Sequence, residues 1–161
     1  MRKVFKVILI LLIPVFMLCG CFLLILAIDF FMSKDKVVDS LGKCETEIFL
    51  TYGEFQDYTD YAKYTYKNVD FSRNKYFKKI TPESEKELIA HIGDFTSWVA
   101  AHKENDPENE LVVGYDFDYA SISDDDYVYI YDDPDYPYLG NYNVYFFDTE
   151  TMTLYYFHNN I

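Results

Sequence analysis

Glycine, cysteine and tryptophan are scarce in this chain, and each scarcity excludes something. Six glycines in 161 residues leave little room for a glycine-rich phosphate loop, and no G-x-S-x-G, H-E-x-x-H or C-x-x-C motif occurs. Of three cysteines, Cys19 and Cys21 lie in an apolar N-terminal run. Cys44 is then alone in the remainder, so no intrachain disulfide can staple it and packing must hold it together. Cys44 reads as a small spacer rather than a reactive thiol. His91 and His102 share a helix face, but eleven residues at ~1.5 Å set them about 16 Å apart, too far to ligate one metal. Positive charge is also missing from the last third. No Lys or Arg follows Lys103, whereas 14 carboxylates fall between Glu104 and Glu150. That surface repels nucleic acid and anionic wall polymers, and it attracts cations or a basic protein. Between residues 33 and 103 the charges nearly cancel, and Arg73, Lys75, Lys78 and Lys79 form a small basic cluster.

What the chain does contain is a long uncharged run, residues 7–28. At ~1.5 Å per residue, roughly 22 apolar residues reach about 33 Å, enough to cross a hydrocarbon core of about 30 Å. Arg2, Lys3 and Lys6 precede the run and Asp29 is the first charge after it. The basic flank predicts a cytoplasmic N-terminus and an extracytoplasmic remainder. The expected organisation is therefore a membrane anchor (1–32), a polar stalk (33–44) and an extracytoplasmic domain (45–161). The location is the cell membrane, single-pass, with the membrane itself a partner through residues 7–28. Within the run, Leu18-Cys19-Gly20-Cys21 resembles a lipobox of bacterial lipoproteins. That resemblance implies cleavage and lipidation at Cys21 in place of an uncleaved anchor. No A-x-A-like site marks an ordinary cleaved signal.

About 129 residues remain after the anchor, the size of one domain with one core. Aromatic residues are abundant, with 17 Tyr and 14 Phe, and this argues against disorder despite a net charge of −13. The clearest element is a helix over residues 82–103. Thr81-Pro82 supplies an N-cap and a first-turn proline, and Glu83, Glu85 and Glu87 complement the N-terminal dipole. Leu88, Ile92, Phe95 and Val99 recur at helical spacing on one face. Strands are expected at 45–52, at about 61–66, and at 111–118, 127–131, 143–147 and 153–158, with residues 73–80 a basic lead-in that includes at most a short strand. The last pair forms an antiparallel hairpin across 148–152. Alternation in 127–131 points Val128 and Ile130 toward the helix and Tyr127, Tyr129 and Tyr131 away from it. The predicted fold class is α+β: an N-terminal transmembrane helix, then one amphipathic helix packed on an antiparallel β-meander of about five strands.

Two chemistries are suggested. Asp116, Asp118, Asp132, Asp133 and Asp135 offer hard oxygen ligands in turn-like contexts, suited to Ca²⁺, although none follows an EF-hand register. Ca²⁺ is the only cofactor these residues suggest. Tyrosine rings in a sheet face bind partners well, being apolar with a polar tip. Residues 144–157, VYFFDTETMTLYYF, resemble the aromatic–Asp hairpins of choline- and glucan-binding cell-wall repeats. The resemblance occurs once, lacks the Trp and Gly positions of those repeats, and assigns no residue a role. The functional expectation is a membrane-tethered extracytoplasmic binding domain without catalysis. Tyr127, Tyr129, Tyr131, Asp124, Asp125 and Asp126 would meet a basic extracytoplasmic protein or a cell-wall component. The alternative is a cell-surface hydrolase acting on cell-wall polymers through paired carboxylates.

Overall fold

A computed structural model describes residues 35–54, 57–132 and 140–160. Two compact units divide at Asp39/Ser40. The described part of the first is a single turn, α1 (Lys36–Asp39), whose start is capped by Asp35: its carboxylate accepts from the Val37 amide at 2.8 Å.

The second unit is a six-stranded antiparallel sheet in the order β1-β2-β6-β5-β4-β3. Its strands are β1 (Thr46–Glu54), β2 (Asp57–Thr65), β3 (Lys78–Lys79), β4 (Tyr127–Asp132), β5 (Tyr142–Asp148) and β6 (Thr153–Asn160). Between β3 and β4 come α2 (Pro82–Asn105), α3 (Glu110–Gly114) and a 3-10 turn at Tyr119–Ser121. The sequence dictates α2 locally. Thr81 is extended, its hydroxyl accepts from the Ser84 amide, and the Ser84 hydroxyl accepts from the Thr81 amide, closing a capping box ahead of Pro82.

The helix buries Leu88, Ile92, Phe95 and Val99 on the sheet. They meet the inward residues of three strands: Val128 of β4, Val144 and Phe146 of β5, and Phe157 of β6. Tyr61 of β2 pairs across to Phe157, their rings 5.5 Å apart, and extends the same core. The opposite face is covered too, by the loop between β2 and β3. Phe71 stacks on Tyr127 at 3.8 Å and meets Phe147 edge-on at 5.0 Å, while Phe77 lies over Tyr145. With cover on both faces, β5 has no solvent side, and Val144 through Asp148 are all buried.

Several expectations need correction. Among the described residues no helix is long and apolar enough to cross a membrane. The helix expected over residues 7–28, with Cys21, lies outside them. At 24 residues α2 has the length, about 36 Å at ~1.5 Å per residue. Its outer face carries Glu83, Glu85, Lys86 and Lys103, so it packs against the sheet with one stripe and turns charge to water. Among the described residues the fold is accordingly a six-stranded sheet with α2 and α3 on one face, in place of the transmembrane helix and five-stranded meander expected. A single-pass topology, a cell-membrane location and a membrane partner have no support in this architecture. The membrane-tethered extracytoplasmic binding domain and the cell-surface hydrolase rested on that span, and no spanning helix supports them among the described residues.

The strand expected at 111–118 is instead the end of a short helix, to Gly114, followed by irregular backbone. Asn109 caps it, its side chain accepting from the Leu111 amide at 2.9 Å, and Leu111 and Val112 are buried from helical geometry. The Leu-Val-Val run lacks polar alternation, so a short helix satisfies it as well as a strand.

One buried carboxylate ties the sheet's lower end. Asp126, 1 % exposed, accepts four hydrogen bonds, from the amide and hydroxyl of Ser123 and from the amide and hydroxyl of Thr149. It thereby joins the turn before β4 to the turn after β5. Asp126→Ala should lower stability by about 3 kcal/mol, and Asp126→Asn by less, since one acceptor oxygen remains. Urea unfolding followed by far-UV circular dichroism measures both. A loss within the ordinary range of surface substitutions, about 0.5 kcal/mol, would remove Asp126 from this role.

Candidate metal centre

Beside the core stripe of α2 runs a polar one. Glu87, His91 and Asp94 each precede a core residue, at i, i+4 and i+7, so they share a helix face turned from the sheet's centre toward the end of β4. The strand register brings a matching pair to the same place: Asp132 of β4 lies opposite Tyr142 of β5, both on the helix side. His91 Nε2 is 3.5 Å from Asp132 Oδ1, and its ring lies 4.8 Å from that of Tyr142. The Tyr142 hydroxyl donates to Asp94 Oδ2 at 3.4 Å, and burial together with that carboxylate pushes the phenol well above its ordinary range.

One ligand atom from each of Glu87, His91 and Asp132 falls within 4.8 Å of the other two. Around a tetrahedral ion with bonds near 2.0–2.1 Å, ligand atoms stand roughly 3.4 Å apart. The His91 side chain is 12 % exposed and packed against Tyr142, whereas that of Asp132 is 55 % exposed. Glu87 is exposed as well. The chemistry is one imidazole nitrogen and two carboxylates, with room for water. That set suits a divalent transition ion such as Zn²⁺ and falls short of the six to eight oxygens Ca²⁺ requires.

The residues singled out from the sequence are dispersed. Asp116 makes an ion pair with Lys63 and accepts from the Tyr61 hydroxyl at 2.9 Å. Burial opposes its charge, but the two donors prevail and hold its carboxyl below the usual range. Asp118 caps the 3-10 turn by accepting from the Ala120 amide. Asp132 joins the helix residues above, while Asp133 and Asp135 lie outside the described residues. Asp125 pairs with Lys79 at 2.8 Å, Asp124 is exposed, and Asp126 is buried. Tyr127 is stacked under Phe71, Tyr129 lies between Tyr76 and Tyr145, and Tyr131 is 47 % exposed. Cys44 is a half-buried free thiol. His102 stacks on Trp98 at 3.9 Å and plays no part near His91. The Glu87-x-x-x-His91 spacing is visible in sequence; its third member, Asp132, emerges only from the packing of α2 over β4.

A second polar pair sits on the opposite face of the sheet, where Asp60 of β2 is directly across from His158 of β6. His158 Nδ1 is 3.1 Å from the Tyr142 carbonyl, which it meets as a donor in the neutral tautomer, and Nε2 is buried without a hydrogen-bond partner. Burial lowers the His158 pKa, against the pull of Asp60; burial raises that of Asp60, against the Thr51 hydroxyl and His158. Comparison with known proteins returns no matching family model, no matching curated protein and no matching solved structure.

The depressed histidine sets a sign for pH dependence. The fold favours neutral His158, so its contribution is complete above the ordinary value of 6.5 and is lost as pH falls from there toward the lower folded value. Asp60, raised above 3.8, acts oppositely at lower pH, where protonation favours the fold. The urea midpoint should therefore decline as pH falls below 6.5, and His158→Gln should flatten that decline. Parallel profiles for the two proteins would assign it elsewhere.

Proposed function

We propose that this domain binds a divalent transition metal ion through Glu87, His91 and Asp132. The convergence of one imidazole and two carboxylates from α2 and the end of β4 carries the reading. Three protein ligands leave coordination positions for water or an incoming ligand group, as in open zinc sites. Bound there, the ion neutralises two adjacent carboxylates and cross-links α2 to the outer part of the sheet, so occupancy stiffens the β4 edge. His91 sets the ion's position because packing against Tyr142 fixes its ring; the carboxylates adjust to it.

A metal that binds only the folded state stabilises it by mass action, by about 2.7 kcal/mol at one hundred times the dissociation constant. Zn²⁺ should raise the thermal midpoint of the full-length chain, and matched Mg²⁺ or Ca²⁺ should not. His91→Gln should abolish the shift, while Glu87→Gln and Asp132→Asn should each weaken Zn²⁺ binding at least tenfold in calorimetric titration. Acidification should weaken it as well, because protons compete for the imidazole. Equal Zn²⁺ affinity in the wild type and His91→Gln would reject the site.

A further inference from the structure

Beside the metal ligands, and sharing only Glu87 with them, the sheet is left incomplete. β3 is only two residues long and pairs with β4 at Lys78↔Val128 and Lys79↔Tyr127. The Asp126 carbonyl accepts from the Ile80 amide at 3.0 Å, so it points toward the β3 side. Backbone groups alternate along a strand, which places those of Val128 on the same side and those of Ile130 two residues further along it. β3 has ended by then. The Ile130 amide and carbonyl meet no strand among the described residues.

A cavity of about 410 Å³ lies against this free edge. Ser84 and Glu87 in the opening turns of α2 form one wall, Tyr76 the other, and Tyr129 and Ile130 the floor. Its lining carries three lysines, Lys75, Lys78 and Lys79, against the single carboxylate of Glu87. Lys79 is held by Asp125. Lys75 rests over the Tyr76 ring at 4.8 Å, and Lys78 is exposed with no ion-pair partner among the described residues. In a chain of net charge −13 this local excess of positive charge is out of keeping with the rest of the surface.

We propose that this groove takes an extended acidic peptide segment, which adds to the sheet as a strand along the free part of β4, in line with β3. Strand addition accounts for the unpaired backbone at Ile130, and the lysine rim selects carboxylate side chains. Residues 129–132 at ~3.3 Å each span about 13 Å, so the segment engages about four residues. Alternate side chains of the added strand face α2 and Tyr76, where the apolar surfaces of Ile130 and Tyr129 await them.

Fluorescence anisotropy with the full-length chain in EDTA tests this without any metal. The probe is a fluorescein-labelled, N-acetylated hexapeptide alternating valine and glutamate. It should bind, with affinity falling as salt rises. Its valine–glutamine counterpart should bind at least tenfold more weakly, and so should the acidic peptide with every amide N-methylated, which cannot complete a ladder from either edge. Lys75→Gln with Lys78→Gln should reproduce the loss. Ile130→Pro removes the outward amide of β4 together with a side chain packed against the core; provided the far-UV spectrum and the thermal midpoint are unchanged, it should abolish binding. No binding of the acidic peptide, equal binding of the N-methylated form, or equal binding of the uncharged form would each overturn the proposal. Because EDTA is present throughout, failure here leaves the Zn²⁺ titration unaffected.

Discussion

A sheet buried on both faces is the constraint from which most of this domain follows. α2 occupies one face and the Phe71–Phe77 loop occupies the other, so the central strands have no side on which a polar residue is comfortable. The polar groups that do lie there are consequently bonded with unusual completeness. Asp126 has four donors, Asp148 takes the amides of Glu150 and Thr151 with the Thr151 hydroxyl, and the Thr59 hydroxyl donates to Asn159 at 2.7 Å. Burial without such partners would cost each of them roughly 1–3 kcal/mol or more. His158 Nε2 is an exception, and burial of the ring lowers its basicity.

Cover on two faces also explains where the surface chemistry can be. Coverage is fullest over β5 and fails at the far end of β4, beyond the two residues that β3 pairs with. Groups that the core cannot accept collect along that boundary: Glu87, His91 and Asp132 on the helix side, Lys75 and Lys78 on the rim. The two sets have opposite sign and lie at neighbouring parts of one edge. A metal at the first would cancel the negative charge that Glu87 presents to the second, so occupancy of one site would favour an anionic occupant of the other.

The parts legible in the sequence are those governed by local periodicity. Leu88, Ile92, Phe95 and Val99 recur at helical spacing because a single stripe of α2 meets the sheet, and Thr81-Pro82 marks its start because capping is a local interaction. Val128 and Ile130 alternate with tyrosines because β4 is an outer strand with dissimilar faces. The illegible parts depend on distant partners. Asp126 belongs to a run of three aspartates that looks solvated, and only Thr149, 23 residues later, makes it internal. The 111–118 segment reads as a strand until Asn109 caps it as a helix. The tyrosine row was legible as a pattern, but the ring that covers Tyr127 comes from Phe71, in a loop without periodicity. Asp132 resembles any turn aspartate until the register sets it across from Tyr142 and beside His91.

The strand order bears on how the domain is synthesised. β6 lies between β2 and β5, so the β1–β2 hairpin reaches the rest of the sheet only through a strand that follows all the others in sequence. About 95 residues separate the end of β2 from the completion of β6, and at roughly 5–20 residues per second a ribosome needs about 5–19 s to supply them. For that interval the hairpin has two open edges, and Ile48 and Phe49 stay exposed on it even in the finished fold. The nascent chain is therefore most vulnerable to wrong pairing at its earliest-made strands.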